Sequence, residues 1–175
     1  GSGCRHLIFR TSWVYAARGG NFAKTMLKLA QEREHLRVVA DQFGAPTSAE
    51  LIADVTALAL QRVQHRQSMN RAEAGSAAAA MAGQPNQSNL YHLTASGSTS
   101  WHGYARYVLE QAAARGVALR CAPEAVQPIA TADYPLPAPR PANSRLDCSK
   151  LRTTFGLVLP PWQTQVQRLI HEPPQ

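Results

Sequence analysis

Short apolar runs alternate with helically spaced apolar positions along the chain, and this alternation predicts an α/β fold. Compact runs of large apolar side chains are typical of strands buried on both faces of a parallel sheet, and they lie at 6–15, 36–40 and 90–94. Apolar residues that recur every three or four positions predict helices that bury one face, and these stretches lie at 22–30, 51–63 and 101–115. The order of the elements indicates the trailing edge of a parallel sheet with a small helical lobe.

Polar residues at the predicted helix starts supply candidate caps. Asn21 and Ser100 each precede a periodic apolar stretch, and their side chains can accept a backbone N–H of the first turn. Thr47 and Glu50 form a T-x-x-E pattern, which predicts a capping box at the start of the second helix. The prolines within 131–143 predict a stiff irregular loop, because proline restricts the backbone and donates no hydrogen bond.

Two segments fall outside the predicted fold. Residues 66–89 are rich in Ala, Ser, Gly, Asn and Gln and contain almost no large apolar side chain. They cannot bury enough surface to offset the entropy of ordering, so we predict that 66–89 is a mobile insertion. Residues 1–4 resemble a tag remnant and are expected to be disordered, which leaves 5–172 as one folded region.

Composition and charge exclude several functional classes. The net charge is +7, but the arginines are scattered and not interleaved with aromatic residues, so a nucleic-acid groove is not predicted. No apolar stretch is long enough to span a membrane, and no secretory signal is recognisable. The three cysteines form no CxxC pair, and the six histidines show no metal-binding spacing. We therefore expect a cytoplasmic protein that binds neither nucleic acid nor membrane.

Three motifs, in a fixed order and spacing, carry a resemblance to a known family. They are FRTSWVY at 9–15, DQFGAPTSAE at 41–50 and RPANSRLD at 140–147. The segments NFAKTML, YHLTASGSTSW and TFGLVLPPW extend the match to about 5–172. On these motifs the chain resembles the dTDP-4-dehydrorhamnose reductases, which are extended short-chain dehydrogenases. The resemblance implies the C-terminal portion of that fold, namely the edge of a Rossmann-like sheet with a small mixed α/β substrate-binding lobe.

The resemblance also implies an activity for which this chain lacks essential parts. Family members reduce dTDP-6-deoxy-L-lyxo-4-hexulose to dTDP-L-rhamnose with NADPH or NADH, for cell-surface polysaccharide. They bind the dinucleotide through a glycine-rich turn at a helix N-terminus. A Tyr-x-x-x-Lys pair protonates the substrate, and its lysine lowers the pKa of the tyrosine. The sequence contains no GxGxxG, GxxGxxG or YxxxK, so we expect the NAD(P)-binding half to be absent and the isolated chain to be inactive.

The resemblance places the substrate site on the three main motifs. Trp13 corresponds to a substrate-contacting tryptophan of the family, and a flat ring suits a sugar face; a core position is the alternative. Either Arg140 or Arg145 is expected to pair with the diphosphate, and a solvated arginine is the alternative. For the DQFGAPT loop, a plain loop-to-helix turn is the alternative to ligand binding. The other residues expected to contact substrate are Gly44, Pro46, Thr47, Asn143 and Ser144.

A metal site and a dimer are implied by two acidic positions. Glu50 and Glu172 match positions at which family members hold Mg²⁺ at a dimer interface. Carboxylates suit a hard cation, so the resemblance implies both a Mg²⁺ site and a homodimer, although Glu50 also has the capping role described above.

Two other functions are compatible with the same motifs. One is a different extended short-chain reductase or epimerase that acts on another sugar nucleotide. The other is a non-catalytic regulatory subunit of the same fold. The upstream sequence discriminates between them, because a catalytic protein requires the glycine fingerprint and the YxxxK pair.

Overall fold

The computed structural model describes residues 6–73, 90–135 and 137–171. The strands are β1 (Ile8–Arg10), β2 (Val14–Tyr15), β3 (Leu36–Val39), β4 (Phe43–Gly44), β5 (Thr47–Ser48), β6 (Leu90–His92), β7 (Thr99–Ser100) and β8 (Val126–Ile129). The helices are α1 (Phe22–Glu32), α2 (Ala49–Glu73), α3 (Trp101–Ala113), α4 (Ser149–Phe155) and α5 (Trp162–His171). Short 3₁₀ turns lie at Pro123–Ala125 and Thr131–Asp133.

The strands form short pairs in which parallel pairing dominates. Strand β1 pairs with β6, β2 with β5 and β3 with β8, and all these pairs are parallel. Strand β4 pairs with β7 in the antiparallel sense. Parallel strands need helical crossovers between them, and α1 and α2 supply such connections along the chain. The expected α/β class is therefore confirmed.

Helix α3 lies between two apolar clusters and belongs to both. Tyr104 and Val108 pack into the cluster that contains β1, β6, α2, α4 and α5. Ala105 and Leu109 pack into the cluster that contains β3, β8 and α1. Because α3 is buried from both sides, its position determines where its first residue, Trp101, lies.

Within the described ranges, no helix is long and apolar enough to cross a lipid bilayer.

The first predicted strand is interrupted. The apolar run at 6–15 forms β1 and β2 with a break between them, and Trp13 in that break has a φ of 50°. This left-handed conformation is uncommon for a residue with a bulky side chain. The single strand predicted from the run is therefore wrong, because Trp13 turns the chain so that β2 pairs with β5 and not with β6.

Two predicted caps are confirmed and one is wrong. The Asn21 side chain accepts from Lys24 N, and the Ser100 side chain accepts from Gly103 N. The predicted cap at Thr47 is displaced by one residue, because Thr47 lies in β5. Its neighbour Ser48 accepts from Leu51 N at 3.0 Å.

The boundary of the predicted insertion needs correction. Helix α2 continues through Glu73, so the first part of 66–89 is helical. Arg66 also donates a hydrogen bond from Nη2 to the carbonyl oxygen of Thr154 at 2.9 Å, which ties this end of α2 to α4. Polar residues in an exposed helix need little burial when the helix has already been nucleated by a packed segment. The rest of the predicted insertion, 74–89, and the predicted tag remnant at 1–4 lie outside the described residues.

We predict that Ser48→Ala destabilises the chain by about 1–3 kcal/mol. The Ser48 hydroxyl accepts from Leu51 N and donates to Gln165 Oε1 at 3.0 Å, and both side chains are buried. Its removal leaves a helix N–H and an amide oxygen without these partners. Chemical denaturation measures the free energy of unfolding. Ser68→Ala in α2 is the control, since Ser68 is exposed. An equal loss in both variants would contradict the prediction.

Candidate functional site

Trp13 lies at a sharp turn where two strands separate. Its carbonyl oxygen accepts from Thr47 N at 3.1 Å, and the next residue, Val14, pairs with Thr47 across β2 and β5. The φ of 50° turns the Trp13 side chain out of the direction of the strand. The indole is half-buried, which is consistent with neither a fully enclosed core residue nor a free surface residue.

Two neighbours define the position of the Trp13 indole. Gly44 passes so close that a Cβ atom at this position would lie 2.5 Å from Cε2 of Trp13. The ring of Trp101 stacks on the Trp13 ring with a centroid distance of 3.8 Å and an interplanar angle of 16°. Glycine is therefore required at position 44 by the packing of Trp13, since no side chain fits between backbone and ring.

The segment after the proline-rich loop attaches to β4. Phe43 N donates to Ala142 O at 2.9 Å, and Ser144 N donates to Phe43 O at 2.7 Å. Ser12 contributes a further bond from its hydroxyl to the Ser144 carbonyl oxygen at 2.9 Å. Asn143 forms an isolated parallel bridge with Phe43. These bonds bring the RPANSRLD motif to the side of β4 that also adjoins the Trp13 turn.

Arg145 is oriented by its surroundings. Asn143 Oδ1 accepts from the Arg145 backbone N at 3.1 Å and from its Nε at 2.9 Å. The guanidinium carbon lies 5.6 Å from the centroid of the Phe43 ring, within cation–π range. The terminal Nη groups have no partner among the described residues and can meet an anion. Arg140 is exposed, and no contact with another described side chain orients it.

Pro46 and Thr47 lie behind this surface. Both are fully buried. The Thr47 hydroxyl donates to Ala45 O at 2.9 Å and accepts from Ala95 N at 3.2 Å. The Thr47 bonds hold the DQFGAPT loop against the β6–β7 connection. Ligand contact by Pro46 and Thr47 remains a prediction, whereas a supporting role of Thr47 follows from its bonds.

Asp41, at the start of the DQFGAPT loop, is hydrogen-bonded to Thr131, the first residue of the irregular segment 131–143. Asp41 accepts from the Thr131 backbone N at 3.0 Å and from its hydroxyl at 2.6 Å. Gln42 Nε2 donates to the same hydroxyl oxygen at 3.1 Å. The hydrogen bonds from Thr131 hold the pKa of the exposed Asp41 carboxyl below its usual value. The anchor therefore favours the ionised form of Asp41.

Phe43 and Trp101 adjoin the candidate site, although neither was among the residues predicted to contact substrate. Phe43 stands inside the DQFGAPT motif and Trp101 directly follows the cap Ser100, so each was adjacent to a recognised feature. Trp101 begins the helically spaced stretch at 101–115, and it contacts Phe22 at a ring-centroid distance of 4.7 Å. Its stacking on Trp13 joins residues 88 positions apart in sequence, a contact that local periodicity does not report.

The predicted metal position lies apart from this surface. Glu50 is exposed and lines a cavity of about 410 Å³ together with Tyr15, Ser48, Gln165, Arg168 and His171. Burial raises the pKa of the Tyr15 hydroxyl above its usual range, and this hydroxyl has no hydrogen-bond partner among the described residues. Within these residues, no three His, Cys, Asp or Glu side chains come together as a metal site.

The basic side chains beside Glu50 do not form a ligand set for a hard cation. Glu172 lies outside the described residues. The Mg²⁺ site and the homodimer therefore remain predictions.

Comparison with known proteins identifies the family. The model of the RmlD substrate binding domain matches residues 1–173. The chain belongs to this family. Among curated relatives, the dTDP-4-dehydrorhamnose reductase of Escherichia coli K12 is 49% identical over 168 residues, which cover 96% of this chain and 50% of that protein. The reductase of Burkholderia thailandensis is 46% identical over 160 residues, which cover 91% of this chain and 49% of that protein.

Solved structures agree with this family membership. The chain is similar to a dTDP-4-dehydrorhamnose reductase ortholog from Clostridium acetobutylicum, with a TM-score of 0.69 and 28% identity, over 94% of this chain and 47% of that one. It is also similar to the reductase of Bacillus anthracis in complex with NADP, with a TM-score of 0.65 and 29% identity, over 93% of this chain and 47% of that one. The expected membership in the reductase fold family is confirmed.

The chain spans about half the length of the curated relatives that it matches. A dinucleotide requires a glycine-rich turn that lets the backbone approach the pyrophosphate. The sequence contains no such turn and no Tyr-x-x-x-Lys pair. The residues present therefore do not fit the NADP that the Bacillus anthracis structure holds.

We predict that Gly44→Ala destabilises the chain by roughly 1–3 kcal/mol, the usual cost of an overpacked site. The new methyl group would overlap the Trp13 ring, so the indole has to move. Chemical denaturation measures the stability, and tryptophan fluorescence reports the displaced ring. Gly20→Ala is the control, because a Cβ there meets nothing within 4 Å and the backbone is not left-handed. Equal stability of the parent and Gly44→Ala would refute the packing described here.

Proposed function

We propose that this chain is the sugar-nucleotide-binding part of a dTDP-4-dehydrorhamnose reductase. The whole enzyme would reduce dTDP-6-deoxy-L-lyxo-4-hexulose to dTDP-L-rhamnose with NADPH or NADH. The observation that carries the proposal is that Trp13 and Arg145 contact adjacent residues of β4, Gly44 and Phe43. An aromatic ring and a guanidinium that pack against one short strand match the two chemically distinct parts of a sugar nucleotide.

The indole of Trp13 is the proposed contact for the sugar. The sugar would contact the part of the indole that Trp101 and Gly44 leave uncovered, and the apolar ring there also excludes water. Trp13 is held at a turn by one backbone hydrogen bond and by ring stacking, so little side-chain entropy is lost on binding. The indole supplies affinity and orientation for the sugar and transfers no proton.

Arg145 is the proposed contact for the diphosphate, in preference to Arg140. Its Nε is held by Asn143, while its Nη groups have no described partner. A planar guanidinium with free Nη groups can donate two parallel hydrogen bonds to phosphate oxygens. The Phe43 ring beneath it limits the orientations that it can adopt. Arg140 lacks such restraints and would lose more entropy on binding.

The remaining predicted residues would act as supports for these two contacts. Gly44 makes room for the indole, and Asn143 orients the guanidinium. Ser144 connects its segment to both Phe43 and Ser12. When bound, the nicotinamide cofactor supplies the hydride, and the reaction also requires a proton donor. We expect both to depend on the half of the enzyme that this chain does not cover.

We predict that Trp13→Ala, made in the full-length enzyme, lowers affinity for the sugar nucleotide by about 1–3 kcal/mol, the range for loss of one aromatic stacking contact. Affinity for dTDP should change less, because dTDP has no hexose. Isothermal titration calorimetry with both ligands measures the difference. If Trp13→Ala unfolds the protein but leaves the affinity of the folded fraction unchanged, Trp13 is a core residue and the proposal fails.

We predict the opposite selectivity for Arg145→Ala in the same assay. This change should weaken dTDP and the sugar nucleotide by similar amounts, about 1–3 kcal/mol for a lost charged hydrogen-bonding partner, because both ligands carry the diphosphate. Arg140→Ala is the matched control, since it removes the same charge from the same segment. A larger effect of Arg140→Ala than of Arg145→Ala would reverse the assignment of the diphosphate contact.

We predict that the isolated chain shows no turnover of dTDP-6-deoxy-L-lyxo-4-hexulose with NADPH. The reason is the lack of a glycine-rich turn and of a Tyr-x-x-x-Lys pair in this sequence. Loss of NADPH absorbance measures the reaction, and the full-length enzyme at the same concentration is the positive control. Steady oxidation of NADPH by the pure chain would contradict this prediction.

A further inference from the structure

The position of Trp101 beside Trp13 is determined by the pairing of the neighbouring strand β7 as well as by the ring stack. It is the first residue of α3 and directly follows β7, whose residues Thr99 and Ser100 pair with Gly44 and Phe43. The pairing of β4 with β7 therefore also determines how far Trp101 lies from the Trp13 turn. The Ser100 cap holds the first turn of α3 through a hydrogen bond from Gly103 N at 3.0 Å.

The other neighbours of Trp101 fix the orientation of its ring. Phe22 packs against it at a centroid distance of 4.7 Å and an angle of 52°, and Tyr104 lies at 6.3 Å. Both neighbours belong to helices, α1 and α3, that contribute to the core. Trp101 is thus held by well-packed elements on one side and contacts Trp13 on the other.

Trp13 has weaker restraints of its own. It lies between two short strands, in a left-handed conformation, and the structure shows one backbone hydrogen bond from Thr47 to its carbonyl oxygen. Such a position leaves the χ angles of the side chain to be determined by packing. The stack at 3.8 Å and the close approach of Gly44 are the contacts that determine them.

We propose that Trp101 is a positioning residue, which acts through its ring stack to hold the Trp13 indole in the orientation that receives the sugar. The inference rests on the proposed function of Trp13. Trp101 itself need not touch the ligand. Its loss should allow the Trp13 ring to rotate among several rotamers, so that binding has to bear the entropy of reordering it.

A set of variants in the full-length enzyme tests this role. Trp101→Phe keeps a flat ring, whereas Trp101→Leu keeps apolar volume without one. Trp162→Phe is the matched control, because Trp162 is also the first residue of a helix but packs on Tyr104 and Tyr107 and not on Trp13. Each variant is compared with its parent below its unfolding transition.

Circular dichroism tests whether the Trp13–Trp101 stack exists in solution. Two stacked indoles couple their electronic transitions and give a paired positive and negative band. The difference spectrum between parent and Trp101→Phe should contain this pair, and the same pair should appear in the difference spectrum for Trp13→Phe. Trp162→Phe should leave it in place. Lack of the pair in the first two difference spectra would overturn the inference, because the stack would not exist in solution.

Affinity supplies the functional readout. Trp101→Leu should raise the dissociation constant of the sugar nucleotide by roughly two- to tenfold, the range expected for an aromatic pair, with little change for dTDP. Trp101→Phe should restore much of the affinity. Equal weakening of both ligands, or no change in either, would overturn the positioning role. If instead Trp13→Ala has no selective effect in the parent enzyme, the proposed function itself is wrong, which is a separate outcome.

Discussion

The close approach of the Trp13 indole to the backbone of Gly44 is the constraint on which the candidate site depends. No side chain can occupy position 44 without moving the ring, so β4 carries a glycine at this point. The same residue pairs with Thr99, which brings the start of α3 and its Trp101 to the indole. The neighbouring residue Phe43 receives the 142–145 segment on its N–H and carbonyl groups. One two-residue strand therefore connects three distant parts of the chain.

Buried polar bonds hold the loop that contains this strand. Thr47 uses its hydroxyl to bridge Ala45 O and Ala95 N, and Ser48 bridges α2 to Gln165 of α5. Such groups are costly to bury without partners, so each bond also specifies which segments must lie together. At the other end, Asp41 and Thr131 join the loop to the segment that carries Arg145. Hydrogen bonds therefore hold the DQFGAPT loop both before β4, at Asp41, and after it, at Thr47.

The arrangement explains how a binding surface can be built from this half of a larger fold. The side chains proposed to contact the ligand lie on turns and loop ends, while α3 and the parallel strands beneath them form the apolar clusters. Ligands of open α/β sheets bind outside the carboxyl ends of strands. Trp13 follows β1 at its carboxyl end, which is consistent with that rule. The cavity beside Glu50 is a separate feature, formed by α2, α5 and Tyr15.

The sequence by itself determined the element types, two helix caps and the family, because periodicity, capping residues and ordered motifs are local or linear signals. It also located Trp13, Gly44 and Arg145 within motifs. It did not determine that Trp13 breaks its strand, that Ser48 replaces Thr47 as the cap, or that α2 extends to Glu73. Those outcomes depend on partners far away in sequence: β5 for Trp13, Ala95 for Thr47 and α4 for Arg66. Only the tertiary structure placed Phe43 beneath Arg145 and Trp101 on Trp13, since both contacts join segments that no local pattern relates.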